Sequence, residues 1–70
     1  MVEKTIELTG SSDNSIQDAV SLAIARAAVT VAGIHHAQVT DIAAEVEDGT
    51  VTRWKVKVKV TFTVKDRIHE

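Results

Sequence analysis

The sequence predicts an α+β fold of order β-α-β-β, a three-stranded antiparallel sheet curled around one helix. Three observations carry that reading. One segment alone, residues 13–32, has helical periodicity. Apolar and polar residues alternate in strand fashion on both sides of it, and an Asp-Gly pair sits between the last two alternating runs. At 70 residues without cysteine, the chain is a single domain, 1–70, near the size where a lone core is marginal.

Residues 2–9 alternate, with Val2, Ile6 and Leu8 on one face and Glu3, Thr5, Glu7 and Thr9 on the other. Gly10 to Ser15 reads as a turn that supplies helix caps, with Ser12 the expected N-cap and Asp13 and Asp18 suited to the helix dipole. In the helix, Ile16, Val20, Ala23, Ile24, Ala27 and Val31 form the core stripe. Leu22, Ala25, Val29 and Ala32 form a second apolar stripe nearly opposite, which is expected to contact another subunit. Gly33 is the expected C′ residue.

Residues 34–47 read as a second strand whose apolar parity switches near Asp41, the mark of a bulge or bend. Glu47-Asp48-Gly49-Thr50 is a hairpin signal. In the third strand Trp54, Val56, Val58, Val60, Phe62 and Val64 face one way, with Trp54 expected in core or rim packing. Arg53, Lys55, Lys57 and Lys59 face the other way. Strand directions then place the third strand between the other two. Its lysines would meet Glu3 and Glu7 on one side and Glu45 and Glu47 on the other, which accounts for the basic row without nucleic acid. Residues 66–70 read as a polar tail.

Composition bounds the function. A net charge of −2 disfavours nucleic acid and anionic membranes as partners, and no apolar run is long enough to span a bilayer. The first residues do not read as a signal peptide, so a cytoplasmic protein is expected. Nothing in the spacing asks for a catalytic triad or a phosphate loop, and no enzyme is expected. Asp41, Glu45, Glu47 and Asp48 offer oxygen donors without the EF-hand spacing. His35 and His36 are expected on opposite sheet faces, where they would not chelate one ion; His69 lies in the tail.

The runs ELTGSS (7–12), AIARAAVTV (23–31), EDGTV (47–51) and WKVKVKVTFTV (54–64), in this order and spacing, resemble those of the dodecins. That resemblance covers essentially the whole chain. It implies a hollow homododecamer and a non-enzymatic binding or storage protein for flavin, FMN or riboflavin. The family's stacking tryptophan stands in a D-W-F-E-V-like run. Here the run is His35-His36-Ala37-Gln38-Val39, which puts His36 at the stacking position. In the third strand Trp54-Lys55-Val56 puts Lys55 where a glutamine is usual. The resemblance thus implies a cofactor site at His36, Gln38 and Lys55. Dodecin-like proteins without the tryptophan are associated with other ligands, so calcium or coenzyme A is the alternative cargo. A structural oligomer, or an enzyme with an intersubunit site, is the reading from a different class.

Overall fold

The computed structural model describes residues 2–64; the expected tail at 66–70, with His69, lies outside them. The order is β1 (Val2–Ser12), α1 (Ile16–Thr30), β2 (Ile34–Glu47) and β3 (Thr50–Val64). The three strands form one antiparallel sheet with β3 in the middle, as strand direction required. The helix lies on one face of this sheet, over β1 and β3, and touches β2 least.

The fully buried core is made only of small side chains: Ala19, Ala23 and Ala27 from α1 against Val56, Val58 and Val60 of β3. Ile6, Leu8, Ile16, Val20 and Ile24 pack around it. The expected stripe is therefore centred one residue column away, on Ala19, 23 and 27, with Val31 at its margin. Alanines at every fourth position bring the helix axis unusually close to the sheet. That closeness explains Gly10, which is not a turn residue but lies inside β1 opposite Val56. A Cβ there would sit 2.3 Å from the Ala19 carbonyl oxygen.

The helix begins at Ile16, the first residue of its apolar stripe, and not at residue 13, because β1 continues to Ser12. Ser15 is the N-cap: its hydroxyl accepts from the Asp18 N–H at 2.9 Å. Ser12, the expected cap, is buried one step earlier. Its hydroxyl accepts from the N–H of Asn14 (2.9 Å) and of Ser15 (3.4 Å), and donates to the Asp18 carboxylate at 2.7 Å. Ser15 thus takes one orphan donor of the first turn, while Ser12, anchored by the Asp18 carboxylate, holds the N–H groups of Asn14 and Ser15 just before the helix. At the other end α1 stops at Thr30 with Val31 as C-cap. Gly33 has the positive φ expected of it (+83°) but sits beyond C′, in the link to β2, where its carbonyl accepts from the Thr63 N–H.

The β2–β3 hairpin turns through Asp48 (φ +53°) and Gly49 (φ +76°), the pair of left-handed residues a type I′ turn needs. Its arm is not regular. Register shifts fall between Ile34 and His36, between Val39 and Asp41, and between Glu45 and Val46. The middle one is the parity switch seen at Asp41; the first falls where Ile34 and Ala37, three residues apart, both pack on the helix side. Extra residues on one strand bend it and increase its twist.

Candidate functional site

The sheet face turned away from α1 carries nearly all of the polar chemistry. Read across the strands, it runs in rungs. Thr5, Thr61 and His36 form one, and Glu7, Lys59 and Gln38 the next. Thr9, Lys57 and Asp41 follow, then Ser11, Lys55 and Ala43. His36, Gln38 and Lys55 are all exposed on this face.

The bulge between Ile34 and His36 changes the expected placement of the histidine pair. His36 is opposite Thr61, whose hydroxyl is 3.0 Å from that of Thr5, so this rung is on the outer face. His35 is the inserted residue, and its Nε2 reaches Glu3 Oε2 at 3.0 Å on that same face. The alternation that would have sent the two imidazoles to opposite faces is broken by the extra residue. Even so, among the described residues no three His, Asp or Glu side chains gather closely enough to hold a metal ion. Asp41, Glu45, Glu47 and Asp48 are spread along the arm.

The acids do not pair with the lysines as one continuous ladder. Glu7 is opposite Lys59 and Asp41 opposite Lys57, but Glu3 turns to His35 and Glu47 lies in the hairpin opposite Thr50. Glu45, opposite Arg53, reaches diagonally to Lys55, with Nζ to Oε2 at 3.0 Å. The hydrogen bond from Lys55, aided by its charge and that of Arg53, holds the Glu45 carboxyl below its ordinary 4.5. Lys55 retains further ammonium donors.

One chain brings His36 and Gln38 together but not Lys55. His36 faces Thr61, and Lys55 lies 61 − 55 = 6 residues along β3, about 20 Å at strand rise. The two therefore do not form one compact site within a single chain. Trp54 stands on the helix-side face between Ser12 and Ala44, half-buried, and takes no part in the outer face.

A separate groove of about 500 Å³ runs between β1 and the outer flank of α1, lined by Thr9, Ser11, Leu22, Ala25, Arg26 and Val29. It holds the second apolar stripe of the helix and none of the candidate ligand residues.

A lone helix on an antiparallel sheet, with ligand-type side chains on an open outer face, defines a small α+β binding protein. Residues 2–65 match the sequence profile of the Dodecin family, and the chain belongs to that family. A mutant of the T. thermophilus dodecin is similar with a TM-score of 0.88 at 29% identity, over 93% of this chain and 97% of that one. The dodecin of Streptomyces coelicolor gives 0.88 at 29%, over 93% of each chain. A calcium dodecin from Mycobacterium tuberculosis, described as a calcium-chelating antigen with a calcium-binding site, gives 0.81 at 28%, over 96% of each. No curated protein matches the sequence.

Proposed function

We propose that the chain is a non-enzymatic, cytoplasmic storage protein whose homododecameric shell sequesters FMN or riboflavin between subunits. The observation that carries this reading is the pair on β2: His36 and Gln38 lie side by side on one exposed face. The imidazole offers a flat surface for an isoalloxazine ring. The Gln38 amide both donates and accepts, which suits the alternating carbonyl and N–H groups on the flavin's pyrimidine edge. One face of a flavin remains uncovered by a single chain. A second chain supplies the other face, and its Lys55 can donate to a flavin carbonyl.

Stacking on imidazole is weaker than on a larger aromatic surface, where a stacked pair adds about 0.5–1.5 kcal/mol beyond area burial. His36→Trp is therefore expected to tighten riboflavin and FMN binding about tenfold and to quench flavin fluorescence more fully. Fluorescence titration of both proteins tests this. If the wild type shows no saturable quenching and His36→Trp gains none, the outer face is not a flavin site. Calcium or coenzyme A then becomes the cargo to titrate by calorimetry.

A further inference from the structure

The sheet is far longer than the helix that covers it. α1 has 15 residues, about 22 Å at helical rise, while the 15 residues of β3 span about 50 Å. β1 ends at Ser12, opposite Trp54, and Ser12 is bonded to Asp18 at the start of α1. Beyond that rung β2 and β3 run on as a two-stranded arm, residues 44–47 against 50–53, with no third strand beside it. An isolated two-stranded hairpin is only marginally stable in water. The register shift between Glu45 and Val46 sets Val46 opposite Val51, and both are exposed, as is Ile42 nearer the helix. The tip past the two valines carries Glu47 and Asp48.

The groove on the outer flank of α1 has the complementary character. Leu22, Ala25 and Val29 give it an apolar floor, and Arg26, the single cation of α1, lies in its lining. Among the described residues the ion pairs are Glu3–His35 and Glu45–Lys55, which leaves Arg26 and the two acids of the tip without a charged partner in their own chain. We propose that this groove receives the β2–β3 arm of a second copy of the chain, with Val46 and Val51 against Leu22, Ala25 and Val29, and Arg26 held by Glu47 and Asp48. The inference rests on the multi-chain shell of the reading above and is independent of its cargo. The outer stripe of another α1 is the competing occupant. It brings apolar surface, but the one carboxylate of that helix, Asp18, is already bonded to Ser12. Arm and groove are different patches, so the contact runs head to tail and closes only as a ring of copies. Arg26 and the tip acids then fix which end of the arm enters, because like charges brought together in a contact repel.

The test is made on the full-length chain by light scattering over a dilution series. Arg26→Glu should raise the concentration at which half the chains are assembled about tenfold, and Glu47→Lys should do the same. The two changes in one chain should bring that concentration back to within about threefold of the wild type, because the pair is restored with its signs exchanged. A cross-link gives a second measurement, since the chain has no cysteine of its own. Ala25→Cys chains assembled with Val46→Cys chains should be joined to each other by a short bis-maleimide. Arg26→Glu assembling like the wild type overturns the docking, as does a double variant no better than Arg26→Glu alone. Ala25→Cys chains that join only to one another overturn it in favour of helix against helix. A wild type that stays monomeric removes the shell itself, whereas an oligomer indifferent to these changes removes only this docking.

Discussion

At the scale of single residues, two glycines show how differently the same residue is required. Gly49 needs its positive φ and has open space around it, so Gly49→Val introduces backbone strain alone. The expected destabilisation is about 1–3 kcal/mol. Gly10 has no φ constraint, but a methyl there would overlap the Ala19 carbonyl and press on Ala23. Gly10→Ala is expected to destabilise by at least about 2 kcal/mol through displacement of the helix. Chemical denaturation of both variants checks the two costs, and a Gly10→Ala protein as stable as its parent would refute the close approach. The Glu45–Lys55 pair gives a pH prediction. A carboxyl whose folded value is depressed contributes stability above its ordinary value and loses it as pH falls. The contribution of Glu45 should thus be intact at neutral pH and disappear only below 4.5. Lys55→Met should return the Glu45 titration toward 4.5 in an NMR pH series, leaving only the pull of Arg53.

At the scale of elements, the start of α1 is held by two serines with different duties. Ser15→Ala removes a cap and is expected to destabilise by about 1 kcal/mol. Ser12→Ala takes the partner from two backbone N–H groups and from the Asp18 carboxylate in a partly buried position, with an expected loss of about 1–3 kcal/mol. Thermal melts should rank Ser12→Ala as the more damaging. The same region shows where sequence patterns inform and where they stop. Alternation located all three strands, the strand order and the hairpin, because one buried face imposes period two. It placed the cap at Ser12 because several capping residues stand in a row and local pattern does not choose among them. Ala19 escaped notice because alanine signals burial weakly, although three alanines four apart beside a strand glycine are the signature of close packing. The His35 bulge left only a faint mark: Ile34 and Ala37 both pack toward the helix although three residues apart, but a single apolar residue before the bulge sets up no alternation to be seen breaking. That bulge sets the face of His35 beside the candidate residues, a placement that alternation alone does not give.

At the scale of the whole molecule, two apolar surfaces stand uncovered. One is the outer helix stripe, where Leu22 is 51% and Val29 77% exposed. The other is the helix-side face of β2 and the hairpin arm, with Val39, Ile42, Val46 and Val51 open because α1 lies over β1 and β3. The isolated chain exposes 5188 Å², against about 4,300 Å² for a compact monomer of 7.6 kDa. If the proposed shell of about twelve chains forms, Leu22→Asp is expected to reduce the mass in light scattering to a smaller species, since it would bury an unpaired charge at the proposed subunit contact. A parent protein that remains a monomer at micromolar concentration would refute the assembly altogether. The central position of β3 has one more consequence, which concerns time. Glu47 and Thr50 pair almost as neighbours, whereas Val2 pairs with Val64 across 64 − 2 = 62 positions. Local pairings close quickly and distant ones slowly. The hairpin therefore zips first, while β1, the earliest strand to be synthesised, waits for the latest. During that wait β3 presents an open edge that fits the β1 of a neighbouring chain as well as its own, so exchange of β1 between copies is the misassembly to which this topology is prone.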